Sequence, residues 1–319
     1  MNQEATASRG NTPKIAIGMP VRNGEKYLEG ALDSIRSQSF TDFEVLISDN
    51  ASTDSSAQIA ERVCRADSRF KIRHQPKNLG ASGNYNYVFH HTSAPYFKWA
   101  THDDLLAPTF LEACLQALES YASKAVLSFA QVVRIDEAGT KLGSYHRPVR
   151  QGGDSPSARL EALIGPGDPQ ETLLHMCFPG LGLIRRAALQ NTSLIANMPR
   201  SDNLLLVELA LLGSFVELQD KLYLRREHDE GSVIAAEKAA QGADLERHLA
   251  QWFDPLKGKK FPATVTRLGL GYLRAVLRTP MSVEEKARCL SLVAGWIARH
   301  GRIIGGEAKI VVKEHLGVS

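Results

Sequence analysis

Cysteine is scarce in this chain. The four in 319 residues (Cys64, Cys114, Cys177, Cys289) lie far apart and form no CxxC pair. That excludes a zinc–thiolate site and a disulfide scaffold, and it fits a reducing compartment, so a cytoplasmic location is expected. Long apolar runs are missing too: the longest, LLLVELALLG at 204–213, is too short to span a bilayer and is interrupted by Glu208. The first dozen residues, MNQEATASRGNT, are polar and carry no signal-peptide core, which leaves residues 1–12 as an expected disordered N-terminus. No internal repeat or low-complexity tract is visible, and no GxGxxG follows the first strand-like run, which argues against a dinucleotide-dependent dehydrogenase. Neither sign of charge dominates: 38 Lys and Arg stand against 35 Asp and Glu, a formal +3. No nucleic-acid partner is expected.

The near-neutral total hides an asymmetry. From residue 246 onward there are 13 basic and 6 acidic residues, whereas the first 245 hold 25 and 29. A basic tail on a slightly acidic body points to an anionic partner, and contact with an anionic membrane surface is one expectation. The apolar positions of TVTRLGLGYLRAVLR and EEKARCLSLVAGWIARH recur at helical spacing, so the last part reads as amphipathic helices. Packing of their apolar faces on the preceding domain is the favoured alternative to a membrane role.

Between residues 14 and 134, strand-like and helix-like runs alternate. KIAIGMP, FEVLISD, FKIRHQ, PYFKWA and KAVLSFAQVVRID read as strands; GEKYLEGALDSIRSQ, DSSAQIAERVCRA, GASGNYNYVFHHT and TFLEACLQALES read as helices. Repeated strand–helix–strand units predict an α/β fold, a single domain with a mostly parallel central sheet and helices on both faces. Residues 150–200 read as loop-rich. After them come a helix, SDNLLLVELALLG, and two short strands, SFVEL and KLYLRRE.

The strand ends hold the chemistry. They read PVRNGE, SDNASTD, NLGASGN and THDD, four polar or acidic clusters predicted along one edge of one sheet, where such folds bind ligands. Two adjacent carboxylates repel unless a positive group lies between them, and their oxygens suit a hard cation such as Mn2+ or Mg2+. A helix cap needs only one of the two.

The series PVRNGEKYLEGALDSIRSQSFTDFEVLISDNASTD, then NLGASGNYN and KWATHDD, resembles the family 2 inverting glycosyltransferases with the A-type nucleotide-sugar-binding fold. The resemblance covers roughly residues 13–230 and implies a catalytic domain there, with a nucleotide-sugar half at 13–134 and an acceptor half at 135–230. A helical extension would follow at 231–319. It implies that Pro20, Arg22, Asn23 and Glu25 line the nucleoside pocket, that Asp49 accepts from the uracil ring N–H, and that Asn78 and Asn84 belong to the donor site. THDD stands where the family has its DXD metal motif: Thr101 replaces the first Asp, Asp103 takes the metal position and Asp104 lies beside it. In MPRSDNLLL, Asp202 stands in the place of the catalytic base, preceded by Ser201 where the family usually has Glu. In LYLRREHDEGS, His228 would be a further metal ligand, and Arg225 or Arg226, with Arg226 favoured, would contact the diphosphate. CFPGLG resembles the segment that shapes the acceptor side, with Gly180 and Gly182 allowing close backbone approach.

The chemistry of those residue types agrees. A departing diphosphate gathers negative charge that a carboxylate-held divalent cation can neutralise, and a base must take the acceptor hydroxyl's proton. The expected activity is transfer from a nucleotide-diphosphate sugar, with a UDP-sugar favoured, to a glycan or lipid-linked hydroxyl, as in bacterial surface-polysaccharide synthesis. The alternatives are a sugar-nucleotide pyrophosphorylase, which would want a Gly-rich phosphate loop that GMPVRNGEKYL lacks, and a non-catalytic nucleotide-sugar-binding protein, which would not need Asp202.

Overall fold

The structure, a computed structural model, describes residues 12–121, 124–145, 153–167, 178–229, 240–257 and 260–316. The expected disordered N-terminus (residues 1–12) and Cys177 of the CFPGLG segment therefore fall outside it, save for residue 12.

The first half follows the strand–helix alternation of the sequence: β1 (Ile15–Val21), α1 (Glu25–Arg36), β2 (Phe43–Asp49), α2 (Ser56–Ala66), β3 (Phe70–His74), α3 (Gly80–His90) and β4 (Tyr96–Trp99). A two-residue β5 (Leu105–Leu106), α4 (Phe110–Ser120), β6 (Ala125–Ile135) and β7 (Lys141–Tyr145) come next. The stretch read as loop-rich contains α5 (Pro156–Ile164), a 3-10 turn at Phe178–Leu181, β8 (Leu183–Arg185) and α6 (Arg186–Leu189). Its Gly and Pro punctuation concealed elements too short for a periodic signal. Then come α7 (Ser201–Leu212), β9 (Ser214–Arg226), α8 (Gly242–Phe253), α9 (Thr264–Arg278), α10 (Val283–Arg299) and α11 (Gly301–Leu316). The two strands expected at SFVEL and KLYLRRE are one 13-residue strand, β9, and the polar QDK between them is absorbed by a register shift against β6.

Eight strands run in the order β3-β2-β1-β4-β8-β6-β9-β5, with β7 on β6. β1 to β4 are mutually parallel. β8 is antiparallel to both β4 and β6, and β9 is parallel to β6, so β6 and β9 point the same way as the first four strands. The ends of β1, β2, β3, β4 and β9 therefore share one edge. Chain order reverses at β1 and β4, the point where open α/β sheets form a crevice beyond their carboxyl ends.

β1 is buried at every residue and alternates between two cores. Ile15, Ile17, Met19 and Val21 face α1, α2 and α4, while Ala16 faces the layer of α3, α6 and α7. At Gly18 a Cβ would lie 2.5 Å from Val88 of α3, so only glycine lets that helix sit against the sheet. A third core lies outside α7. There Leu160 and Leu163 of α5 and Leu204, Val207 and Leu211 of α7 meet Leu268, Tyr272 and Val276 of α9 and Val293 and Trp296 of α10. The amphipathic helices of the tail thus bury their apolar faces on the preceding elements, as the packing alternative expected. No helix among the described residues is long and apolar enough to cross a membrane.

Candidate functional site

The loops after β1 and β2 are tied to each other. Asn23, in a left-handed conformation (φ 52°), donates its backbone N–H to Ser52 Oγ (3.0 Å), and its Oδ1 accepts from Thr53 N–H (2.9 Å). Gly24 N–H donates to Ser56 Oγ (2.8 Å). Glu25 N–H donates to Asp54 Oδ2 (3.0 Å), while Glu25 Oε2 accepts from Ser55 N–H (2.8 Å). Asn23 and Glu25, expected in a nucleoside pocket, are thus engaged in bonds between the two loops. Pro20 lies in β1, opposite Ser48, and Arg22 is exposed beside the latch.

Behind them Asp49 ends β2. It is 5% exposed, accepts from Ser52 N–H (3.1 Å), and has His74 Nδ1 at 3.4 Å from its second oxygen. His74 Nε2 in turn faces Glu61 at 3.3 Å. Asn78 accepts from Asn50 Nδ2 and Gly80 N–H (both 2.9 Å), which fixes the start of α3. Asn84 donates to Ser48 O (3.0 Å), and among the described residues its buried Oδ1 has no hydrogen-bond partner. A buried acceptor left over behind the end of β2 is costly unless something else satisfies it.

The paired carboxylates part company. Asp104 accepts from Thr101 Oγ1 (2.8 Å), Tyr223 OH (2.6 Å) and Arg226 N–H (2.8 Å), so it locks the turn after β4 to β9. Asp103 faces His228 Nε2 at 3.0 Å. Burial presses both carboxyls toward the neutral form. On Asp103 the His228 hydrogen bond and the neighbouring His102 outweigh it and hold the group below its ordinary value. On Asp104 burial and the adjacent charge of Asp103 win, and its carboxyl stays raised. His228 thus faces Asp103 alone, and Arg226 meets Asp104 through its backbone N–H, not through its guanidinium.

Arg226 differs from expectation. It is 9% exposed, its Nε donates to Asp103 O (3.0 Å), and one Nη donates to Asp136 O (2.9 Å) and Glu137 O (2.7 Å). These bonds pin three backbone carbonyls and turn the guanidinium inward. Asp104 and Thr101 are likewise engaged within the protein. Gly182 bears out the close approach, since a Cβ there would lie 2.2 Å from Ser128 O, but at Gly180 no heavy atom of the described residues lies within 4 Å of such a Cβ.

Asp202 stands at the start of α7. That helix leads through Gly213 directly into β9, so its N-terminus returns to the edge where β9 ends. The N-cap is Arg200, whose side chain makes no capping bond, and Asp202 Oδ1 accepts from Asn203 N–H (3.0 Å). A helix N-terminus favours a negative charge. Tyr85 of α3 lies within the field of all three carboxylates. Its hydroxyl is raised above its ordinary value by burial first and then by the fields of Asp103, Asp104 and Asp202.

Two side chains were not picked out from the sequence. Tyr223 donates to Asp104, and Lys98, fully buried in β4, donates Nζ to Leu181 O between the rings of Phe110 (4.6 Å) and Tyr223 (5.2 Å). Burial pulls the Lys98 ammonium down to about 7. Its signal was present: a lysine in the middle of the apolar run YFKWA has no solvent to reach.

Among the described residues no group of three or more His, Cys, Asp or Glu side chains is gathered that could hold a metal ion. Asp103 and His228 are two such donors, one carboxylate oxygen and one imidazole nitrogen. That set fits a Mn2+ or Mg2+ ion that takes its remaining ligands from phosphate oxygens and water.

Sheet order, crevice and acidic edge together define the A-type glycosyltransferase fold. The chain belongs to glycosyl transferase family 2, whose model matches residues 16–192. An uncharacterized glycosyltransferase of Rickettsia bellii (strain RML369-C) is 31% identical over 135 residues, 42% of this chain and 19% of that protein. The proposed glycosyltransferase EpsH of Bacillus subtilis (strain 168) is 28% identical over 133 residues, 42% of this chain and 38% of its own length. The matched part thus spans well under half of either relative. Among solved structures, S. aureus TarS 1–349 in complex with UDP-GlcNAc superposes with a TM-score of 0.53 at 16% identity, covering 96% of this chain and 92% of that one. The same protein in complex with UDP gives 0.52 at 17% identity, with 95% and 92% covered.

Proposed function

We propose that this protein is a metal-dependent, inverting glycosyltransferase that moves a sugar from a UDP-sugar to a hydroxyl of a glycan or lipid-linked acceptor in surface-polysaccharide synthesis. The observation that carries the reading is the three-carboxylate edge: Asp103 held charged by His228, Asp104 locked beneath it, and Asp202 at a helix N-terminus in the same electrostatic neighbourhood. Binding alone would need only the first part of that set. UDP as the donor nucleotide is supported by the complexes of S. aureus TarS with UDP and UDP-GlcNAc and by the buried acceptor Asp49.

Asp103 and His228 would hold Mn2+ or Mg2+, and the bound cation would supply charge neutralisation for the departing diphosphate. The side chains of this protein do the rest. Asp49 receives the base, Asn84 contributes from α3 behind β2, and Arg22, exposed just after β1, meets the phosphate chain. Asp202 takes the acceptor hydroxyl's proton as the oxygen attacks the anomeric carbon from the face opposite the leaving UDP. That single displacement inverts the configuration.

Thermal stabilisation by a panel of nucleotide-sugars, with Mn2+ and with EDTA, tests the reading. UDP-sugars should stabilise the protein only with metal present, and Asp103→Ala should abolish that response. Equal stabilisation in EDTA, or an unaffected Asp103→Ala response, would overturn the metal assignment.

A further inference from the structure

Residues 193–203 lead into α7 and carry Asp202. They are held from two sides by parts of the chain distant in sequence. From α3, Ser82 Oγ and Asn86 Nδ2 donate to Ile195 O (2.6 and 3.0 Å), and Asn86 Oδ1 accepts from Ile195 N–H (3.1 Å). From the C-terminal helices, Asp254 Oδ2 accepts from Asn197 Nδ2 (2.6 Å) and Arg267 donates to Asn197 O (3.0 Å). Glu246 faces the Arg200 guanidinium at 3.7 Å and accepts from Thr264 Oγ1 (2.6 Å). Further along α7, Leu204 rests against Gly271 of α9, where a Cβ would come within 2.9 Å of it. Glu208 accepts from Ser193 N–H (2.6 Å) and is gripped by Arg278.

The backbone shows why such a clamp is needed. Leu194 (φ 52°), Arg200 (φ 57°) and Ala263 at the start of α9 (φ 48°) are left-handed although each bears a Cβ. Such residues persist only where the surroundings over-determine them, and they gather at functional sites. Among the described residues only two other non-glycine residues have positive φ, Asn23 and Ala51, and both lie in the donor loops.

We infer that the C-terminal helices position the base: Asp254, Arg267 and Glu246 fix residues 197–200, and through them the direction in which α7 presents Asp202. The inference rests on reading Asp202 as the base. The three are positioning residues, since none lies among the donor groups. The polar clamp is separable from the packing of the helices, which resides in Leu268, Tyr272, Val276, Val293 and Trp296. Removing Arg267 should therefore loosen the segment without detaching the extension.

The test uses the full chain, with UDP release from UDP-GlcNAc as the turnover assay and UDP binding with Mn2+ by calorimetry. Arg267→Met and Asp254→Ala should each lower kcat roughly ten- to a hundredfold while donor KM and UDP affinity stay within about twofold. Arg267→Lys, which keeps a donor for Asn197 O, should recover much of the loss. On an Asp202→Asn background, Arg267→Met should change turnover no further. An unchanged kcat in Arg267→Met overturns the inference, as does a parallel fall of kcat, UDP affinity and Tm. If Asp202→Asn itself keeps full turnover, the base reading fails, and amide hydrogen exchange judges the clamp alone. Faster exchange at residues 197–203 in Arg267→Met supports it, and unchanged exchange overturns it.

Discussion

The loops after β1 and β2, where the donor is proposed to bind, and the segment that carries the proposed base Asp202 share one sheet edge but are secured in contrasting ways. The donor loops hold each other: Asn23, Gly24 and Glu25 exchange bonds with residues 52–56, and both loops sprout from adjacent parallel strands. The segment before α7 has no such neighbour. Its partners come from α3 and from helices more than forty residues downstream. One region is a closed local circuit, and the other is a bridge whose footings lie elsewhere in the chain. Donor recognition should therefore tolerate change in the C-terminal helices, whereas turnover should not.

The sharpest way to break that contrast is Asp202→Asn. The amide keeps the shape but cannot take a proton, so turnover should fall about 10²–10⁴-fold while UDP affinity with Mn2+ is preserved. Steady-state kinetics beside calorimetry decide it, and a near-normal kcat would reduce Asp202 to a structural helix-start residue. Asp49→Ala tests the other region. It removes both the pocket acceptor and the bond to Ser52 N–H, and UDP affinity should weaken by about 1–3 kcal/mol with kcat at saturating donor little changed. Unaltered UDP affinity by calorimetry would remove Asp49 from the pocket.

Lys98 sits at the seam between the regions, since its ammonium joins β4 to the turn at 178–181. Its ordinary value of 10.5 falls to about 7 in the fold. Between those values the unfolded chain binds more protons than the folded one, so stability from this group rises with pH above about 7 and is lost as pH falls through 7. Lys98→Met lacks that dependence. Its Tm should exceed that of the parent at pH 6.5, and the gap should narrow toward pH 9, by up to about 1.4 kcal/mol per pH unit over the titration range. A gap that does not vary with pH would show that the buried amine is not titrating there.

The smallest effect belongs to Glu307. From α11 it accepts the N–H groups of Val265 and Thr266 (both 2.8 Å) at the start of α9. Glu307→Gln weakens that cap and should cost about 1 kcal/mol of stability with kcat unaffected. A marked loss of kcat would mean that the cap, and not only the contacts at Asn197 and Arg200, governs the base.

The same contrast explains what could be read in the sequence. β1 through β4 and α4 follow directly from the periodicity, the two-residue β5 does not, and the donor motifs stand in short local runs because each loop answers to its neighbour. Asp103, Asp202 and His228 were legible as residue types, but the lock on Asp104 was not. Tyr223 and Arg226 reach it from more than a hundred positions away, with no local pattern to announce the pairing. The inward turn of Arg226 was hidden for a related reason: an arginine at a strand end looks the same in sequence whether it faces a ligand or three backbone carbonyls. The clamp on residues 197–200 was invisible because Asp254 and Arg267 look like ordinary surface charges of amphipathic helices.

The leucine face on α7 and α5 bears on how freely pieces of such enzymes can be exchanged. Leu160, Leu163, Leu204, Val207 and Leu211 are covered only because α9 and α10 lie over them. A catalytic domain transplanted without those helices would present a contiguous apolar strip to water, the kind of surface that drives self-association. Any replacement tail would have to bring its own complementary hydrophobic cover, and a small residue where Gly271 admits Leu204. Modular shuffling at this boundary is therefore constrained by shape before it is constrained by catalysis.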